Sequence, residues 1–282
     1  MQMVATSKMR RAQEQVVATR EYAEKAWELL LHLAGQPTED IREQPLCMVR
    51  PVKAIGLILI TGDKGLSGGY NHNIIRLALR FMRTQPVPVK VITVGRKGRE
   101  YMLRLGADLV AEFTDLPSQP KLLDVLPVAQ VAMEDLERGI FDEVYMAYTL
   151  FHNTIRHEPI VRRLLPICPS TEGGSGVTSG ILPEMGKAGP AISEYIYEPD
   201  AHALLSTIIP RFTEMQVYQA VLESLASEHS ARMVAMRNAT DNAEEMIDAL
   251  TLVYNRARQE AITKEIIDIA GGAEALAKAR AG

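Results

Sequence analysis

Residues 236–276 read MRNATDNAEEMIDALTLVYNRARQEAITKEIIDIAGGAEAL. Met236, Ala239, Ala243, Met246, Leu250, Val253 and Ala257 fall at alternating spacings of three and four, the a/d rule of a coiled coil. The register slips across Arg258, Gln259 and Glu260, and the apolar stripe resumes at Ile262, Ile266, Ile269, Ala273 and Leu276. Upstream, the helical pattern reaches back to Asp200, an N-cap after Pro199, with Pro210 expected to kink it. At the rise of an α-helix such an element is on the order of 110 Å long. The core of a 282-residue chain cannot cover it. It needs a helical partner, and its far end needs another protein.

The first residues offer that partner. Between Met1 and Ala34 there is neither Pro nor Gly, and Gly35 and Pro37 close the segment. Met9, Val16, Ala23 and Leu30 recur every seven residues, as do Ala5, Ala12, Thr19, Ala26 and Leu33. The small residues in the second set let a neighbouring helix approach closely. Packed side by side, the first and last helices are expected to run antiparallel, with Leu30 near Arg232 and Ala5 near Ala257. The stripe from Ile262 to Leu276 would then extend uncovered, as contact surfaces do.

Between the helices the period changes. Val52–Ile60 is a β-rich apolar run, followed by a glycine-rich turn and a helix from Asn71 to Arg83. A strand over Val87–Val94, a helix over Arg96–Leu105 closed by Gly106, and a weaker strand near Asp108–Phe113 come next. A helix from Lys121 to Arg138 and strands at Glu143–Leu150 and Ile160–Ile167 complete the segment. Alternation of this kind predicts an α/β fold with a mostly parallel sheet and helices on its faces. The expected divisions are a coiled-coil helix over 1–35, the α/β domain over 50–168, a glycine-rich flexible loop over 169–199 and a coiled-coil helix over 200–280.

Bulk composition narrows the function classes. The formal charge is −4, which argues against a general nucleic-acid binder, although Lys8, Arg10, Arg11 and Arg20 face only Glu14 at the start. The two cysteines, Cys47 and Cys168, form no disulfide framework. No apolar run reaches the length of a membrane span, so membrane association is expected only through partners.

Five stretches carry a family resemblance: MVATSKMRRAQ (3–13), ITGDKGLSGGYNHNIIR (60–76), YIYEPDAHALL (195–205), SLASEHSARMVAMRNATDNAEEMI (224–247) and LVYNRARQEAITKEIIDIAGGAEAL (252–276). They are similar, in order and over the whole chain, to the γ-subunit family of F-type ATP synthases. The resemblance implies a long antiparallel coiled-coil rod built from the N- and C-terminal helices on a Rossmann-like head. It also implies a non-catalytic rotor that couples proton-driven rotation of a membrane ring to conformational cycling of catalytic subunits. The partners implied are the F1 alpha/beta hexamer, the epsilon subunit and the membrane c-ring, at the cytoplasmic face of a bacterial plasma membrane. No cofactor and no metal are expected. By position, Arg258, Gln259 and Thr263 match residues that face the surrounding subunits, and Met3, Lys8 and Arg11 lie on the adjoining part of the shaft. The polar interruption at 258–260 agrees, although a coiled-coil stutter with solvated side chains explains any one of the three equally well. Family members generally carry several further helical turns and a basic segment ahead of MVATSKM. Plastid members also carry an inserted pair of regulatory cysteines; nothing similar occurs here, and Ser67 stands where a Cys is common, so no thiol switch is expected.

The turn Gly62–Gly69 sits where a phosphate cradle would, but is neither GxGxxG nor a Walker A loop. Glycines needed for close helix–sheet packing explain it better. The six histidines make no HxxxH or HExxH pattern. Tyr195 and Tyr197 could pack the head on the last helix, and Thr240, Asp241 and Asn242 read as solvated positions beside the seam. Two other classes stay open on residues alone: an NAD(P)-dependent reductase built on the central domain, and a static coiled-coil adaptor.

Overall fold

In a computed structural model of the chain, residues 2–34, 44–154, 156–167 and 201–281 are described. The elements are α1 (Gln2–Ala34), β1 (Ile55–Ile60), α2 (Tyr70–Thr84), β2 (Val89–Val94), α3 (Arg96–Leu105), β3 (Leu109–Phe113), α4 (Leu122–Glu137), β4 (Glu143–Phe151), β5 (His157–Leu165) and α5 (Ala201–Ala281). The expected loop over 169–199, with Cys168, Tyr195, Tyr197 and the Asp200 cap, lies outside the described residues. The helix continues through Pro210. Two compact units are present, Met1–Ala235 and Met236–Gly282.

The sheet of the first unit has the order β3-β2-β1-β4-β5. β1 runs parallel to β2 and β4, β2 parallel to β3, and β5 antiparallel to β4. β1, IGLILI, is buried at every position, as a central strand covered on both faces must be. It starts later than the apolar run because the Asp142 carboxylate accepts the N–H groups of Lys53 (2.6 Å) and Ala54 (3.0 Å). The ladder therefore begins at Ile55, whose N–H reaches the Pro88 carbonyl at 3.0 Å. β2 in turn opens at Val89, because Pro88 has no N–H to give.

The two faces of the sheet are covered differently. Leu57, Leu59, Ile74, Ala78 and Met102 form one core, under α2 and α3. Ile58, Ile60, Val125, Ala129, Met146, Val217 and Val221 form the other, which joins α4, α5 and, through Val16, α1. From Phe212 to Ala231 α5 is buried around nearly its whole circumference. At roughly 25 cal/mol per Å² of apolar surface, that burial is the main force seating the helix.

Ala5, Met9, Ala12 and Val16 are 3–8% exposed, so the seven-residue seam on α1 is real. Its neighbour differs from the expected one. Lys8 lies within electrostatic reach of Glu228 and His229 and bonds Ser118 Oγ at 3.0 Å. Relative to a pairing of Ala5 with Ala257, that is a slide of roughly seven helical turns. Small residues on α1 let it approach the stretch of α5 that the sheet also covers, where more apolar surface is removed from water. The expected neighbour Leu30 lies outside the described side chains. In the second unit Ala239, Ala243, Met246, Leu250, Val253 and Ala257 are exposed, and Met236 is half-buried.

Candidate functional site

Three of the quoted stretches meet in the first unit, at the carboxyl ends of β1 and β4. In an open sheet with this strand order, the reversal of direction beside β1 opens a crevice there, the usual ligand position in such folds. Here α5 fills it. The last β1–β4 pair is Leu59 with Ala147, so the Thr149 peptide extends past the cover of β1. Ser224 Oγ accepts the Thr149 N–H and Ser227 Oγ donates to its carbonyl, both at 3.2 Å. One turn on, Ser230 Oγ donates to the Thr154 carbonyl. These serines, three residues apart on one helix face, satisfy backbone groups that would otherwise be buried unpaired.

The glycine turn is occupied in the same way. A Cβ on Gly62 would lie 2.6 Å from Glu228 Oε1, so the absence of a side chain is what admits that carboxylate. The Gly62 N–H donates to Asn71 Oδ1 at 2.9 Å, and Arg232 reaches the Gly65 carbonyl at 3.4 Å. At the start of α3, where a second phosphate position would fall, the Arg96 N–H donates to Asp63 Oδ1 at 2.9 Å. Two internal carboxylates thus stand where a dinucleotide would place its phosphates. A phosphate group entering either place would have to displace a carboxylate already seated there, which counts against the reductase reading.

Glu228, His229 and Arg232 form the buried centre of this junction. Arg232 donates to Glu228 and, at 3.1 Å, to His229 Nδ1. A guanidinium has no acceptor, so the imidazole is neutral there and carries its proton on Nε2, which is buried without a partner. Burial raises the Glu228 carboxyl above its ordinary range, with Arg232 pulling it back. Burial, then Arg232 and Lys8, push the His229 imidazole down to about 4. Tyr70, fully buried beside Glu228, is raised by desolvation and by that carboxylate.

The histidine has a measurable consequence. Its folded value lies below the unfolded 6.5, so the unfolded chain takes up the proton first. The stability it carries is complete above pH 6.5 and drains away as pH falls towards about 4. The full window amounts to about 3 kcal/mol. Chemical denaturation at stepped pH should show that slope in the wild type and lose it in His229→Gln. An unchanged slope in the variant would assign it to other groups.

The residues expected to face partners fall into two sets. Met3 is 87% exposed and Arg11 is exposed, but Lys8 is half-buried and turned towards the head. Arg258, Gln259 and Thr263 are exposed on α5, with Thr263 Oγ1 bonded to the Gln259 carbonyl at 2.8 Å. Arg256, Gln259, Glu260, Thr263, Lys264 and Ile267 share one side of the helix. Thr240, Asp241 and Asn242 are exposed. The Glu228–His229–Arg232 centre was not among the expected site residues. Its signal was a helical stretch, 223–232, in which polar groups appear on every face with only Leu225, Ala226 and Ala231 between them.

A crevice closed by the protein's own helix, together with a helical unit presenting large apolar side chains outward, fits a structural subunit that works against partners. A family model described as ATP synthase matches residues 1–276. The ATP synthase gamma chain of Dehalococcoides mccartyi strain CBDB1 is 47% identical over 278 residues, spanning 98% of this chain and 92% of that relative. The gamma chain of Roseiflexus castenholzii is 45% identical over 282 residues, spanning 99% and 92%. The fold is shared with a chain in the central stalk/c-ring structure of the Tetrahymena thermophila mitochondrial ATP synthase, at a TM-score of 0.62 and 24% identity, covering 85% of this chain and 97% of that one. The chain belongs to the ATP synthase gamma-chain family, the non-catalytic central-stalk subunit of F-type ATP synthases.

Proposed function

We propose that the chain turns as the shaft of a proton-translocating ATP synthase, in a complex at the cytoplasmic face of a bacterial plasma membrane. The observation that carries this reading is the surface of the second unit. Met246, Ile247, Leu250, Leu252, Val253, Tyr254, Ile262, Ile266, Ile267 and Ile269 are 48–71% exposed on a helix without an apolar interior to shelter them. Contiguous apolar surface of this kind marks an interface. The F1 alpha/beta hexamer is the partner proposed for it, with Arg258, Gln259 and Thr263 in polar contacts and Met3 and Arg11 on the adjoining shaft. Lys8 contributes there by holding α1 to the head. The epsilon subunit and the c-ring are the partners proposed for the head. Among the described residues no helix is long and apolar enough to cross a membrane, which fits attachment through other subunits.

Physically, such a shaft is an asymmetric ligand for the sites around it. Each orientation presents a different face, and only the difference in binding free energy between open and closed sites can drive their interchange. A crosslink locking the shaft to the surrounding ring should abolish turnover, and reduction of that crosslink should restore it; turnover that survives the lock would leave a static adaptor. Replacing Arg258 and Gln259 together by Ala should lower ATP synthesis in membranes while leaving the thermal unfolding of the head within about 0.5 kcal/mol, as for exposed positions generally. Normal synthesis in the double variant would remove those two contacts.

A further inference from the structure

Elements from distant parts of the chain close around His229. Glu228 and Arg232 flank it on α5, and Lys8 reaches it from α1. Asp63 of the glycine turn and Tyr70 at the start of α2 lie within electrostatic reach of Glu228. The tip between β4 and β5 joins the group through the Thr154 carbonyl, which accepts the Ser230 hydroxyl.

The negative charge in these elements is already engaged. Glu228 accepts from Arg232, and the Asp63 carboxylate accepts the Arg96 N–H at 2.9 Å. Asp115, in the loop that holds Lys8 through Ser118, pairs with Arg96 at 2.7 Å. Glu158 at the hairpin is held by His152 at 3.3 Å and Arg156 at 3.8 Å. The imidazole cannot keep its place once a proton arrives. Its Nδ1 accepts from Arg232 at 3.1 Å, so protonation there breaks that bond and sets an imidazolium against a guanidinium. The Lys8 ammonium adds a third cation, and Glu228 alone faces all three. One of the packed elements must yield. α5 is buried around nearly its whole circumference from Phe212 to Ala231, and Arg232 is tied to the Gly65 carbonyl as well. α1 is held by less. Its seam is Ala5, Met9, Ala12 and Val16, two of the four being alanines with little apolar surface to bury.

We infer that His229 is an acid-sensitive latch on α1: proton uptake by its imidazole releases the Ala5–Val16 seam from the head while the sheet stays folded. The opening is local, confined to the element with the fewest buried apolar contacts. With the seam closed, burial, Arg232 and Lys8 hold the imidazole down to about 4, whereas an exposed histidine titrates near 6.5. The released form takes up the proton first, so falling pH favours it. Linkage makes that form, relative to the closed one, roughly 25-fold more populated at pH 5 than at pH 7.5. A place in a proton-translocating complex would give such a latch a use, but the opening itself needs only this chain.

The latch can be read by hydrogen exchange of the full chain at pH 7.5 and pH 5, with rates corrected for intrinsic exchange and peptides resolved by mass spectrometry. Protection within residues 5–16 should fall at least about tenfold at pH 5, while that of β1 changes less than about threefold. In His229→Gln, whose amide oxygen can accept from Arg232 but takes up no proton, the fall should vanish. Should that variant fail to fold, Lys8→Gln reads the latch from its other side, and the fall should shrink at least about threefold with one cation removed. Equal loss of protection in α1 and β1 would mean global unfolding and overturn the latch. So would a fall unchanged in the variants, or protection of 5–16 that ignores pH.

Discussion

Gly95→Ala is expected to unfold the head of this protein under conditions where the wild type is stable. Gly95 closes β2 at φ 98°, and a Cβ placed there would lie 2.1 Å from the Thr61 carbonyl oxygen. Thr61 cannot yield easily. Its hydroxyl donates to the Val94 carbonyl at 3.1 Å and accepts the Gly98 N–H at 2.9 Å, tying the end of β1 to the start of α3. Left-handed strain together with an immovable backbone neighbour should cost about 3–5 kcal/mol. Gly106→Ala provides the control. That residue has φ 70° but nothing within 4 Å of a new Cβ, so only the conformational penalty of about 1–2 kcal/mol applies. Equilibrium unfolding in urea should rank the two variants clearly. If Gly95→Ala were no worse than Gly106→Ala, the close approach to Thr61 would not be a real constraint.

Arg232→Ala should be nearly as damaging, by another route. It strips the counter-charge from Glu228, whose side chain is 7% exposed beside an arginine that is itself only 17% exposed. Removing one partner of a buried pair typically costs about 3–5 kcal/mol, because the remaining charge stays desolvated. The sign with pH is distinctive. Glu228 is already raised above its unfolded value, and loss of Arg232 raises it further. A carboxyl raised on folding favours the folded state at low pH and loses that contribution as pH rises through the folded value. The deficit of Arg232→Ala should therefore grow with pH, opposite to the slope set by His229. Measuring both variants in a His229→Gln background separates the two. Glu228→Gln added to Arg232→Ala should recover part of the loss; no recovery would mean that Arg232 acts through the Gly65 carbonyl instead.

The fold was largely legible because its signals are periodic. Burial on both faces of β1 left a continuous apolar run, the seven-residue seam of α1 marked four residues that are in fact buried, and Gly106 does close α3 in a left-handed conformation. Boundaries were missed where side chains far away in sequence take over backbone groups, as Asp142 does before Ile55. The helix register was missed for a related reason. A heptad pattern records that a face is buried and says nothing about which neighbour buries it. Ala5 and Met9 satisfy the rule equally well against the head or against 250–257. The buried centre escaped notice because its polarity looks like that of a solvated helix face. Only the crevice beside β1, with Thr149 left uncovered, turns Ser224, Ser227 and Glu228 into interior residues. The partner-facing set on α5 was reached by resemblance, since its exposure alone does not distinguish contact from solvation.

The closed crevice has one more consequence. A site filled by a segment of the same chain faces an occupant tethered in place, whose effective concentration no free molecule in solution readily matches. A crevice closed in this way is insulated from the free ligands that an open sheet of this order otherwise accepts. The state of the head is then set by the helix that fills it, and not by the concentration of a small molecule in solution.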